Sequence, residues 1–284
     1  MKIVKVKFLE LMALVLVLAL SAGCTHNPFG GDDEISSKRT VGGQVNLERS
    51  DDSGGLYVWL EGIDAGTFTD NKGNFQLTLP PPSSQPGGGY TGSANLYFYM
   101  ANFRMDTTKL ILRNGEFLYS QGEIDEKGNF REQRTMNKLM SINTSLSPAS
   151  IDTSFSGNIR ATITIDVWVS QIEIQTVKSD FQYFAVAEVA KQNADPQFVR
   201  SFITGATKTD TTLIRGRHTF VSDYYYQPYF LPPGEYVLMP YIWINQNNIP
   251  PRMIESLNAP YARYNESYVN LPFQRSGGRL IVRE

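Results

Sequence analysis

Cysteine and histidine are almost missing from this chain. Its 284 residues hold one cysteine, Cys24, and two histidines, His26 and His218. One thiol cannot close an intramolecular disulfide, so a folded unit of this size has to be held by packing. Zinc sites draw several ligands from Cys and His, and these three residues cannot supply them. A Ser or Cys nucleophile needs an adjacent base, usually His. His218, in Arg215-Gly216-Arg217-His218, is the one histidine away from the N-terminal region, and no Gly-x-Ser-x-Gly elbow accompanies it. Glycine-rich phosphate loops are missing too: Gly87–Gly89 follows prolines and precedes no helical pattern. The loops lack the alternating Asp/Asn ligands and late Glu of a calcium loop. No metal and no cofactor is therefore expected. Charge is sparse, at 19% Asp, Glu, Lys and Arg with a net charge of −2, which removes the basic field that nucleic acid requires. The longest apolar run, Leu11–Leu20, falls well short of the ~20 residues of a membrane-spanning helix.

What is present begins at the N-terminus. Lys2, Lys5 and Lys7 precede the apolar run, and Ser21, Ala22 and Gly23 follow it. A basic start, a short apolar middle and small residues at a cut point describe a secretory signal peptide, here residues 1–23. Cys24 stands directly after Leu20-Ser21-Ala22-Gly23. This resembles the lipobox of bacterial lipoproteins, with Leu20 one place earlier than the usual bulky residue. The resemblance implies cleavage before Cys24, acylation of that cysteine (palmitate among the acyl groups) and anchoring in the cell envelope. The alternative is an ordinary secreted protein in which Cys24 is incidental. Loss of the three lysines and Glu10 takes the net charge from −2 to −4.

Residues 24–40 carry Pro28, Gly30, Gly31, Asp32, Asp33, Glu34, Ser36 and Ser37 and show no periodicity. They read as a flexible, lipid-anchored tether. Thr25 in place of Asp resembles the sorting pattern of outer-membrane lipoproteins. Asp32-Asp33-Glu34 faintly resembles acidic surface-export signals, but its later position suits a solvated spacer.

Strand patterns dominate the remainder, and the fold class expected is all-β, with two antiparallel β-sandwich domains. Val41, Val45 and Leu47 alternate with Gly42, Gln44, Asn46 and Glu48, the period of a half-buried strand. Leu56, Val58 and Leu60 face one way, and Tyr57, Trp59 and Glu61 the other. Asp70-Asn71-Lys72-Gly73 predicts a tight hairpin turn into Asn74-Phe75-Gln76-Leu77. Together, Val41-Gly42-Gly43-Gln44-Val45, Val58-Trp59-Leu60-Glu61-Gly62, Thr69-Asp70 through Gly73-Asn74-Phe75 and Leu79-Pro80 resemble the carboxypeptidase regulatory-like domain, a transthyretin-like sandwich. The likeness covers Val41 to Pro80. It implies an accessory recognition or scaffold domain, assigned to residues 41–140, with no catalytic residues of its own. The proline- and glycine-rich stretch 80–89 departs from the family pattern and reads as a flexible insertion. Asn114-Gly115 predicts a second hairpin. Asp125-Glu126-Lys127-Gly128-Asn129-Phe130 repeats the spacing of Asp70 to Phe75, either as another hairpin of the same kind or as a faint duplication; one short echo favours the hairpin.

Residues 141–157, rich in Ser, Thr and Asn, read as a linker, although a long loop within one sandwich would look the same. A second sandwich is expected over 158–284. Its clearest strand alternates Ala161, Ile163, Ile165 and Val167 with Thr162, Thr164, Asp166 and Trp168. Further runs lie at 181–189, 198–204, 211–220, 235–244 and 279–282. Leu231-Pro232-Pro233-Gly234-Glu235-Tyr236 resembles a strand entry common in such sandwiches, and Pro251–Leu257 reads as a short helix.

For function, the missing nucleophile and metal groups point away from an enzyme. A paired-carboxylate hydrolase is the one enzyme class left, with Asp166, Glu188 and Asp223 as undistinguished candidates. The best lead towards binding is aromatic: Tyr224, Tyr225, Tyr226 and Tyr229 cluster before the Pro-Pro-Gly turn, and Tyr241 and Trp243 share a face of the next strand. Exposed rings with polar neighbours stack on sugars or anchor protein partners; buried ones are core. The expectation is a non-enzymatic envelope lipoprotein, probed for glycan or envelope-protein partners, with an outer-membrane location and no nucleic-acid role.

Overall fold

The structure, a computed structural model, describes residues 37–177, 184–188, 197–201, 209–259 and 266–284. The signal peptide, Cys24 and the tether as far as residue 36 lie outside the described residues. The last tether residues are structured: Ser37–Arg39 form a 3-10 turn and Thr40 already opens the first strand.

Eight strands build the first sandwich: β1 (Thr40–Leu47), β2 (Tyr57–Leu60), β3 (Ala65–Phe68), β4 (Asn74–Thr78), β5 (Gly92–Tyr99), β6 (Asp106–Arg113), β7 (Glu116–Phe117) and β8 (Arg134–Met136). One sheet runs β4-β1-β8 and the other β3-β2-β5-β6-β7. Alternation decides which side chains go in. Val41, Val45 and Leu47 of β1 pack with Val58, Leu60, Leu96 and Phe98 of the facing sheet, while Gln44 and Asn46 remain in solvent.

The two Asp-x-Lys-Gly-Asn-Phe turns are local copies. Asp70 Oδ1 accepts hydrogen bonds from the backbone N–H groups of Lys72 (2.9 Å) and Asn74 (2.8 Å). Asp125 Oδ1 accepts from those of Lys127 and Asn129, both at 2.8 Å. Gly73 and Gly128 take φ of 80° and 87°, which a side chain resists. The turns flank β1 on opposite edges. Gly73 O accepts from Val45 N at 2.8 Å, and Gly128 O from Gly42 N at 3.0 Å. Phe75 and Phe130 then meet inside, ring centroids 5.8 Å apart, and both touch Phe98. The 80–89 insertion is pinned rather than loose. Gln85 is buried and donates to Pro80 O and Gly115 O, while its Oε1 accepts from Tyr90 N. Asn114 and Gly115 form the expected hairpin, with φ of 52° and 80°.

The second sandwich holds β9 (Met140–Ser147), β10 (Ser150–Asp152), β11 (Gly157–Val167), β12 (Ile172–Val177), β13 (Phe184–Glu188), β14 (Gln197–Ser201), β15 (Thr209–Ile214), β16 (Arg217–Tyr226), β17 (Gly234–Pro240), β18 (Trp243–Ile244), β19 (Ser276–Gly277) and β20 (Arg279–Arg283). Its sheets run β16-β11-β9-β19, β10-β20-β17-β13-β14 and β15-β12-β18. Ile159, Ile163 and Ile165 of β11 meet Phe184, Val186, Leu238 and Leu280 across the core. The expected helix is α1 (Pro251–Ser256). Parts of the expected runs 181–189 and 198–204 lie outside the described residues. The run 211–220 is divided by a turn at Arg215-Gly216: β15 pairs with β12, whereas β16 pairs with β11 in another sheet. Similarly, 235–244 ends as β17 at Pro240 and resumes as β18 beside β12.

The stretch read as a linker, 141–157, holds two strands. β9 pairs with β11 over Met140–Ser147, and β10 lies beside β20. Ile142 and Thr144 turn inward and Asn143 and Ser145 outward. Short polar residues on the solvent face give a central strand the composition of a loop.

Nor are the two sandwiches separated. Tyr57, Trp59 and Tyr99, on the outer side of β2 and β5, and Ala101 just beyond β5 pack into a third core with Val177, Tyr241, Trp243, Ile249, Met253, Ile254 and Tyr268 of the second sandwich. All four β2 residues are buried as a result. Asn102, fully buried, ties this seam: its amide donates to Met140 O and Gln274 O, and its Oδ1 accepts from Gln274 N. Tyr57 Oη lies 3.0 Å from Ser256 Oγ of α1.

Candidate functional site

The six aromatic candidates divide by strand geometry. Along β16, residues 224 and 226 point inward and residue 225 outward, as a period of two demands. Tyr224 packs edge-on against Phe184 at 4.8 Å. Burial raises its hydroxyl pKa well above the ordinary tyrosine range. Tyr226 is fully buried, and its Oη accepts from Leu231 N at 3.1 Å, closing the turn towards Pro232-Pro233. Tyr241 is 1% and Trp243 4% exposed, both inside the seam. Tyr241 tilts over Tyr268 at 4.8 Å, and burial, followed by the Tyr268 hydroxyl, drives its pKa up. A ring in the core has no face left for a sugar or a partner, so Tyr224, Tyr226, Tyr241 and Trp243 are structural. The seam covers the last two, and a sequence pattern cannot show what lies across a sheet face.

Tyr225 and Tyr229 are exposed at 62% and 75%. The Tyr225 hydroxyl sits 2.7 Å from Ser156 Oγ. Tyr229 follows β16 in a turn, with φ of 57° and its N–H donated to Thr153 O at 2.7 Å. A non-glycine residue in that region is uncommon, and here it holds a large ring out in solvent.

The carboxylate candidates do not converge. Asp223 Oδ1 accepts from Arg160 Nε at 2.9 Å, and Asp166 Oδ1 from Arg217 Nε at 2.7 Å. The hydrogen bonds from these guanidiniums hold both carboxyls below the usual carboxylate range. The two pairs sit at registers 160↔223 and 166↔217 of the same two strands. Six residues at ~3.3 Å each put them about 20 Å apart, beyond the ~5–10 Å of a paired-carboxylate site. Glu188 lies on β13 in another sheet, and its side chain is outside the described set. His218 is committed locally, with Nε2 2.8 Å from Arg215 O. It stacks on Phe220 at 6.1 Å. Cys24 lies outside the described residues.

One surface passed over in the sequence is the solvent face of β4-β1-β8. Gln44, Asn74 and Gln76 look there like the polar halves of ordinary alternation. The available signal was their chemistry: three carboxamides where exposed strands usually carry charge or hydroxyls. With Asn129 and Gln133 from the second turn and its continuation, they line a groove of about 610 Å³.

No protein-family model matches the chain, and no curated protein matches it. Among solved structures, the chain is similar to BcpA, the major pilin subunit of Bacillus cereus (11% identity, 72% of this chain and 66% of that one, TM-score 0.23). A point variant of the same pilin gives 12% identity, the same coverage and a TM-score of 0.25. The TIE protein of Bacillus anthracis gives 10% identity over 73% of this chain and 48% of that one, TM-score 0.23. The chain thus spans less than two thirds of the length of each. At these TM-scores nothing is carried across, and the all-β assignment rests on the strands and sheets themselves.

Proposed function

We propose that the protein is a non-enzymatic cell-envelope lipoprotein, anchored through a lipid on Cys24 and acting as a binding or structural β module. One observation carries this reading: the basic start, the apolar run and Leu20-Ser21-Ala22-Gly23-Cys24 stand in the order that export and lipidation require. Thr25 in place of Asp supports the outer membrane as its destination. The first sandwich is read as a carboxypeptidase regulatory-like accessory domain. The Thr69-Asp70 to Phe75 motif supports this, because Asp70, Gly73 and Asn74 build the turn that braces β1. Glycan binding through aromatic rings is a second reading, favoured by the exposure of Tyr225 and Tyr229 alone.

Membrane fractionation of cells expressing the native protein and Cys24→Ala tests the anchor. The native protein should pellet with the outer membrane, and the variant should be released. Protease added to intact cells then separates a surface-facing from a periplasm-facing protein. A variant that pellets like the native form would overturn the lipoprotein reading.

A further inference from the structure

We infer that the groove across the β4-β1-β8 face is a binding site for an uncharged oligosaccharide. Its floor is Gly42, and Asn129 Oδ1 stands over that glycine, 3.3 Å from where a Cβ would lie. Five exposed carboxamides line the groove: Gln44, Asn74, Gln76, Asn129 and Gln133. Two of them use one N–H each, Gln44 donating to Lys72 O at 3.0 Å and Asn74 to Asp70 Oδ2 at 3.0 Å. Each keeps its amide oxygen as an acceptor. Among the described residues, the side chains of Gln76, Asn129 and Gln133 make no hydrogen bond, so donor and acceptor are both available.

Ligand class follows from this chemistry. A carboxamide offers a donor and an acceptor in one plane, which suits sugar hydroxyls, each able to give and to take a hydrogen bond. Lys127 and Glu132 are the only charged residues lining the groove, and they balance. It therefore has no net field with which to select an ion. Half-buried Phe130 lines the same groove. Phe75 and Phe98 fix its ring from within, and the Arg134 guanidinium lies 5.6 Å from its centroid. Packed in this way, Phe130 braces the groove wall and leaves hydrogen bonding to the carboxamides. An extended peptide fits less well. Along the groove floor it would have to add to the edge of β1, and both edges of β1 are taken, by β4 on one side and by Asn129 and β8 on the other.

This inference rests on reading the chain as a binding module, but not on its anchor. The test is calorimetric titration of the detergent-solubilised full chain with neutral hexasaccharides: β-1,4-, β-1,3- and α-1,4-glucans and β-1,4-linked N-acetylglucosamine. A hexameric polyuronate and an uncharged hexapeptide are run alongside. At least one neutral sugar should bind one to one. Gln76→Ala and Gln133→Ala, both on exposed side chains, should each weaken it about tenfold. Gly42→Val, which fills the floor, should abolish it. Tyr225→Ala with Tyr229→Ala and Cys24→Ala should leave it unchanged, which separates this site from the second-sandwich rings and from the anchor. Three results would overturn the inference: no neutral sugar binding, binding indifferent to Gln76 and Gln133, or preference for the polyuronate or the peptide.

Discussion

Asp70 and Asp125 close their turns as carboxylates, and this makes both turns sensitive to acid. The Asn74 side chain and backbone at Asp70, and the Asn129 backbone at Asp125, hold these carboxyls below the usual carboxylate range. A group whose pKa is depressed by folding stabilises the protein fully above its unfolded pKa, about 3.9 for Asp. That contribution disappears as pH falls through the folded value. In Asp70→Asn with Asp125→Asn the amide oxygens can still accept the two turn hydrogen bonds but carry no charge. Thermal melts should show the native protein ahead of the double variant at neutral pH, with the gap closing below about pH 4. A gap that stays constant down to pH 2 would remove the charge from the account. The two glycines in these turns are not equivalent. A Cβ on Gly73 would meet Val45 O at 1.9 Å, and one on Gly128 would meet Thr40 O and the Tyr119 ring at 2.7 Å. Both approaches reach β1 backbone, but the one at Gly73 is far deeper. Gly73→Ala should therefore cost more than ~1 kcal/mol and more than Gly128→Ala, as chemical denaturation would measure.

At the level of strands, the sequence was informative wherever one face was buried and the other wet. β1, β4 and β11 follow their apolar alternation residue by residue. Reading failed where a second surface intervened. Tyr57 and Trp59 look like the outer face of β2, yet the second sandwich covers them, and nothing within β2 signals that cover. β15 and β16 read as one run because Ile214 and Phe220 keep the apolar pattern across Arg215-Gly216, where the chain changes sheets. β9 was hidden by Asn143, Ser145 and Ser147, which are loop-like in composition but merely the wet half of a strand. The same limit touched the candidate site. Neighbouring rings of one segment, Tyr224 to Tyr226, point to opposite sides, and the carboxamide groove joins β4 to a turn some fifty residues away. Because β9 lies between β11 and β19, its ladder amides should resist hydrogen exchange as strongly as those of β11. Limited proteolysis should spare 141–147 in the folded protein. Fast exchange over that stretch would restore the linker.

On the scale of the molecule, the seam makes two sandwiches one cooperative body. A buried tryptophan at its centre, Trp59, and a buried polar pin, Asn102, both depend on residues from each half. Unfolding should be a single transition, coincident by circular dichroism and by near-ultraviolet signal. Trp59→Ala should cost ~3–5 kcal/mol and lower that one transition, whereas two independently melting halves would contradict the shared core. The seam also contains two of the chain's three tryptophans, Trp59 and Trp243. The third, Trp168, stands in solvent under the Arg49 guanidinium, 4.5 Å from its ring centroid. Intrinsic emission is therefore dominated by the junction. Parting the sandwiches would shift it to longer wavelength and open it to iodide quenching, while an event confined to the far ends of either would leave it dark to the experimenter. Without any added label, the protein carries its own gauge of whether its halves are together.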